Sequence, residues 1–175
     1  MKQLIIRFTN FRIFAVVLLM MVLAAPMADA GKVQLPEGKE IRVRFDPKMK
    51  ISSGKLEKGI PLQIYLAEPI EIAGVVLVPK DAPGTAVVAD VKKAGKPGKP
   101  GMIKIEFTEL EPTGDFKSPE GEKIKLSGTI EKKGGGKKLL SYLFIFGLFI
   151  KGGEGAIDPN GVYTATVKEG LILEN

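Results

Sequence analysis

Few residues in this chain have types and spacings suited to covalent chemistry. Histidine and cysteine are both absent. Their absence removes Ser-His and Cys-His nucleophile pairs, an ordinary zinc site, disulfides, and an imidazole that titrates near neutral pH. Carboxylates and a lysine-activated serine remain. Glu106, Glu109 and Glu111 fall within one strand-like stretch and its exit. That spacing suits a solvated edge better than two carboxylates opposed across a substrate. Ser52 and Ser53 stand near Lys50 and Lys55, but a Ser-Lys dyad needs a desolvated amine brought close in space. Turn and surface roles fit these serines better. Asp158 and Asn160 could offer oxygens to calcium, yet the flanking carboxylates of an oxygen cage are missing. The expectation is a protein that is not an enzyme, with no catalytic residue, no metal site and no cofactor.

Two other segments are candidates for function through contact. Residues 92–101, KKAGKPGKPG, interleave Lys92, Lys93, Lys96 and Lys99 with glycine and proline. They read either as a solvated hairpin loop or as a mobile cationic finger for phosphate-bearing lipid, lipopolysaccharide or glycan. Each lysine near an anionic membrane surface gains roughly 1 kcal/mol. The stretch holds no aromatic residue and no arginine, so a nucleic-acid partner is not expected.

The second segment, residues 139–150, reads LLSYLFIFGLFI. Leu139, Leu140, Tyr142, Leu143, Phe144, Phe146 and Phe149 make it the most hydrophobic stretch beyond the N-terminal region. Lys137 and Lys138 precede it and Lys151 follows, while Gly134, Gly135 and Gly136 on one side and Gly152 and Gly153 on the other read as hinges. The segment is too short to cross a bilayer as one helix, which takes about 20 residues. Its length suits a tilted transmembrane strand, but a lone strand spans only within an oligomer. Three roles are open: a core strand or short helix plugging the fold, a membrane-interface hairpin with snorkelling lysines, or a protein-docking segment.

The elements that must position these segments are strands. Period-two alternation places Ile41, Val43 and Phe45 on one face of residues 39–45, and Leu62, Ile64 and Leu66 on one face of residues 62–66. It recurs with Ile103, Ile105 and Phe107 in residues 102–107, and with Ile124, Leu126, Gly128 and Ile130 in residues 123–130. Residues 75–78 and 85–91 are more continuously apolar and read as central strands, and residues 162–167 close the series. No long segment carries a helical stripe. Seven or eight short strands without βαβ spacing predict an all-β fold, a small antiparallel β-barrel with a β-sandwich as the alternative, carrying one hydrophobic insert near the C-terminus. Leu35-Pro36-Glu37-Gly38, Val78-Pro79-Lys80-Asp81 and Asp158-Pro159-Asn160-Gly161 each set proline second in a tight turn.

The N-terminus sets the expected compartment. Lys2, Arg7 and Arg12 precede an apolar run from Ile13 to Ala25, and Ala28-Asp29-Ala30 offers small residues before Gly31. This is the pattern of a cleaved export signal over residues 1–30, leaving residues 31–175 as a single β-rich domain. The net charge of +6 becomes slightly less positive once the three basic residues and one acid of that segment are removed.

The order of apolar-Pro-x-Gly turn, strand, Ile51-Ser52-Ser53-Gly54-Lys55 turn and strand continues with Val76-Leu77-Val78-Pro79-Lys80-Asp81-Ala82-Pro83-Gly84-Thr85 and a basic loop. It resembles a group of small exported bacterial β-rich proteins of unknown function. More distantly it is similar to the C-terminal β-barrel domain of TrbI-type conjugation and type IV secretion proteins. That resemblance implies a barrel in the cell envelope whose hydrophobic insertion reaches the outer membrane. The expected function is a non-catalytic, structural, assembly or membrane-associated module, located in the periplasm or on the periplasmic face of the outer membrane. Its partners would be an envelope protein or a membrane surface, with oligomers allowed. The alternative is a periplasmic binding module that holds an anionic lipid or glycan through the lysine-rich loop.

Overall fold

The computed structural model describes residues 31–135 and 151–175. In chain order the strands are β1 (Val33–Leu35), β2 (Glu40–Phe45), β3 (Ile51–Ser52), β4 (Pro61–Leu66), β5 (Ile70–Ile72), β6 (Val75–Val78) and β7 (Pro83–Lys92). They continue with β8 (Met102–Leu110), β9 (Ile124–Ser127), β10 (Thr129–Lys133), β11 (Ala156–Ile157), β12 (Val162–Val167) and β13 (Leu171–Leu173). No helix occurs among the described residues.

Six of these strands close an antiparallel barrel in the cyclic order β8, β7, β4, β2, β12, β9 and back to β8, with β10 as one extra strand on β8. Closure removes the free edges that an open sheet would expose. Inward-facing residues alternate with outward ones along each strand, and a six-strand barrel is narrow enough for side chains to fill it. Val43, Phe45, Ile64, Leu66, Val88, Ile103, Ile105, Leu110 and Ile124 have no solvent exposure. Phe45 sits 6.4 Å from Phe107 and 5.6 Å from Tyr163, measured between ring centres. The interior is therefore occupied by the barrel's own side chains, each contributing roughly 1.5–3 kcal/mol by leaving water.

Local departures from regular pairing bend the sheet into closure. The β7–β8 ladder shifts register between Thr85 and Ala86 and again between Val88 and Asp90, and such bulges increase the local twist. Gly84 lets β7 lie close to its neighbour, because a Cβ there would stand 2.6 Å from the Glu109 carbonyl oxygen. Gly128, at φ +133°, divides the single strand expected over residues 123–130 into β9 and β10. Both halves pair with β8, β9 opposite Glu109 and Leu110, β10 opposite Met102 to Glu106. Only β9 goes on to meet β12. The break is what allows the barrel to close while β10 runs past the closure.

Residues 75–78 differ from the central strand expected. Ala73 and Gly74, both at positive φ, turn β6 back on β5 as a separate two-stranded hairpin. Val75 and Val76 remain 40% and 45% exposed there. Of the three Pro-bearing turns, that at residues 158–161 closes as expected, Gly161 N–H donating to the Asp158 carbonyl at 3.2 Å. At residues 35–38 the Gly38 N–H instead donates to Val167 on β12. At residues 78–81 the turn moves one residue on, with Asp81 at φ 67° and Ala82 N–H donating to Pro79. Two small ribbons complete the domain, β1 with β13 and β3 with β11.

Candidate functional site

The lysine-rich segment joins the end of β7 to the start of β8. Lys92 is the last residue of β7 and pairs with Met102. Gly95 and Lys99 then exchange backbone hydrogen bonds of 2.9 and 3.0 Å, closing Lys96-Pro97-Gly98 into a tight turn. Lys92, Lys93, Lys96 and Lys99 are all exposed, whereas Ala94 and Gly98 are buried. The loop is a pinned hairpin rather than a detached finger.

The pin is a group of residues that the sequence reading did not join. The Ser53 hydroxyl donates to Glu154 Oε2 at 2.6 Å, and the Ala94 N–H donates to the same oxygen at 3.0 Å. Ser53 Oγ accepts from the Gly155 N–H at 3.0 Å, while Ser53 N–H donates to the Gly155 carbonyl at 2.8 Å. Glu154 Oε1 accepts no well-angled hydrogen bond and is met by the Lys151 ammonium at 2.7 Å. Lys151, then Ser53 and the Ala94 N–H, hold the Glu154 carboxyl at about 2, well below the usual carboxylate range. Hydrogen bonds to the charged form favour it in this way. Ser53 is fully buried and serves a carboxylate, not a lysine amine. The Ser-Lys arrangement is not formed, and the surface role expected for this serine is replaced by a buried one.

Around this pin the chain crosses itself on glycine. Gly101 N–H donates to Gly153, Gly134 N–H to Gly101, Gly153 N–H to Gly135, and Gly152 N–H to Gly95. A Cβ on Gly101 would collide with Ser53 and Glu154, one on Gly134 with the Gly153 backbone, and one on Gly152 with the Lys99 backbone. Gly134 and Gly152 are thus required for close backbone approach. Of the described glycines expected to act as hinges, Gly134 and Gly152 sit at close backbone contacts, whereas a Cβ on Gly135 would meet nothing within 4 Å. Gly135 and Lys151 are the described residues on either side of residues 136–150, so both roots of the hydrophobic segment lie against the lysine hairpin. Leu139, Leu140, Tyr142, Leu143, Phe144, Phe146 and Phe149, the proposed membrane or partner contacts, lie outside the described residues.

The remaining chemical candidates stay apart. Glu109 and Glu111 share the Lys123 ammonium at 3.3 and 3.2 Å, and Glu106 pairs with Lys104 at 3.3 Å. Glu111 first, and then Glu109, raise the Lys123 pKa. Among the described residues no group of three or more Asp or Glu could hold a metal ion. Asp158 Oδ1 instead accepts from the Asn160 backbone at 3.0 Å, an Asx turn. A shallow groove of about 500 Å³ follows the seam where β8 and β9 diverge at Gly128, lined by Phe107, Thr108, Lys125, Ser127 and Lys168. It is open and formed by the closure itself.

Sequence reasoning missed Ser53 and Glu154 as partners, because 101 positions separate them. The local signal was present only in part, as the glycines that flank Glu154. No family model matches the chain, and comparison with curated proteins and with solved structures gives no significant match.

Proposed function

We propose that this protein is an exported, non-catalytic module of the cell envelope, whose barrel is a rigid base for a contact surface at one end. The observation that carries the reading is the meeting of the lysine hairpin with the described residues that flank the hydrophobic segment. The lysine hairpin and both roots of the hydrophobic segment are tied together through Gly95, Gly101, Gly134, Gly152 and Gly153 and locked by Ser53 and Glu154. A site built on rigid elements keeps its parts in fixed relation.

Two further observations support it. The apolar composition of residues 139–150 suits a contact role. The sequence pattern of residues 1–30 favours export. The similarity to TrbI-type barrel domains belongs to the same proposal, since it implies an envelope barrel with an apolar excursion.

Cell fractionation with a salt wash and then a carbonate wash tests this, comparing wild type with a chain in which a Gly-Ser linker replaces residues 139–150. The expected result is that wild type stays with washed membranes and the folded replacement becomes soluble. A wild-type protein that is soluble throughout, with a replacement that unfolds, would reject the reading.

A further inference from the structure

The register of the sheet brings together lysines that are distant in sequence. Met102 of β8 lies opposite Lys92 of β7 on one side and opposite Lys133 of β10 on the other. Directly opposed residues project from the same face of a sheet, with neighbouring strands about 4.8 Å apart. Ile103 points inward, so the row Lys92, Met102, Lys133 points outward. The next outward row is Asp90, Lys104 and Glu131, where acids stand on both sides of the lysine. The row at the barrel's rim has no such balance.

The hairpin and the roots extend this rim. Lys99 lies at the close approach to Gly152, and Lys151 is the next residue. Lys132 is exposed although it shares the parity of inward Ile103, because β10 continues beyond the closed ring. Among the described residues Lys93 lies 3.9 Å from Glu57, and Lys151 pairs with Glu154. No described carboxylate lies within ion-pair distance of Lys92, Lys99, Lys132 or Lys133.

We infer that Lys92, Lys93, Lys99, Lys132, Lys133 and Lys151 form a collar that docks this end of the barrel on a bilayer surface bearing anionic phospholipid headgroups. This rests on the reading of the end as a contact surface and names what it contacts. The choice of lysine decides between partners. Protein interfaces are depleted in lysine and enriched in arginine, tyrosine and tryptophan, and the collar holds none of these. Flexible, strongly hydrated ammonium groups suit diffuse attraction to many headgroups.

The test is co-sedimentation of the protein, purified after expression as the full chain, with vesicles of phosphatidylcholine alone or mixed with phosphatidylglycerol. Wild type is expected to prefer the mixed vesicles and to lose that preference as salt rises. Changing Lys92, Lys99, Lys132 and Lys133 together to Gln is expected to weaken binding by about six hundredfold, at roughly fivefold per lysine. The same four positions changed to Arg are expected to retain it. Equal binding to both vesicles, or a folded Gln variant that binds like wild type, would overturn the inference.

Free glycerol phosphate should leave vesicle binding intact, because the collar is a surface. Competition by it would overturn the bilayer in favour of a single phosphate site. The linker replacement of residues 139–150, run on the same vesicles, separates this inference from the reading beneath it. If the replacement leaves membranes in cells while the Gln variant binds normally, the contact end stands and the collar falls. If the Gln variant fails while the replacement binds anionic vesicles as tightly as wild type and stays with washed membranes, the collar stands and the apolar anchor falls.

Discussion

The two ends of the barrel handle charge in opposite ways. At the end where β8 runs out and β9 begins, residues 109–123 carry five acids and two lysines, and acids there outnumber the basic groups. Lys123 holds Glu109 and Glu111, and Lys125 holds Glu169 at 2.8 Å. Nearby, Arg44 holds Asp81 at 2.7 Å and lies over the Tyr65 ring. At the other end, residues 92–101 carry four lysines and no acid, and the one strongly held carboxylate, Glu154, is spent on the backbone and on Lys151. Surface ion pairs add little stability, so this pairing chiefly balances charge. Lys92, Lys99, Lys132 and Lys133 at that end have no described carboxylate within ion-pair distance, and clustered charge of one sign raises the local potential. The fold thus sets its Ser53–Glu154 hydrogen-bond network beside an end rich in lysine.

The largest way to break the contrast is steric. Gly101→Ala places a methyl group against Ser53 and Glu154 and is expected to cost about 3 kcal/mol, read as a fall in the midpoint of urea unfolding. Gly59→Ala, where the left-handed backbone is the only strain and a Cβ would meet nothing within 4 Å, is expected to cost about 1 kcal/mol. Equal losses would mean that the glycine crossing is not close-packed.

The next effect is the pin. Ser53→Ala removes the donor to Glu154 and the acceptor of the Gly155 N–H, with an expected loss of about 2 kcal/mol. Hydrogen exchange should show faster exchange at the Ala94 and Gly155 amides before any global change.

Acid provides a finer probe of the same group. The Glu154 pKa is lowered from 4.5 to about 2, so its contribution is complete above about 4.5 and is lost as pH falls toward 2. Thermal unfolding across that window should show a steeper decline for wild type than for Glu154→Gln, which has no such carboxylate to protonate. Parallel curves would contradict the pin. The smallest effect belongs to the paired end: Lys125→Gln should leave unfolding within error of wild type and anionic-vesicle binding unchanged.

What the sequence made legible follows from the range of the signal. The alternation in β2, β4 and the first six residues of β8 is local and survives folding unchanged. Gly128 keeps the period of its neighbours, so nothing in the alternation marks the break that separates β9 from β10. The run Val75 to Val78 looks like a buried strand, and only Ala73-Gly74 before it shows that the chain turns back on itself. β3 and β11 are two residues each, too short for any periodicity. The lysine-rich and hydrophobic segments were visible from composition, but the meeting of the lysine hairpin with Gly134, Gly152 and Gly153 depends on long-range pairing. Lys132 and Lys133 acquire meaning only through the β8 register that sets Lys133 in the row of Lys92.

The absence of cysteine allows the central claim to be tested by placing one label at either end. Lys93→Cys and Glu120→Cys, each carrying a nitroxide, would be compared by electron paramagnetic resonance with and without phosphatidylglycerol vesicles. The account predicts that the label at position 93 becomes immobilised and shielded from a soluble relaxation agent, while the label at position 120 keeps its mobility and access. Shielding at position 120 instead, or no change at position 93 under conditions where the protein co-sediments, would contradict it.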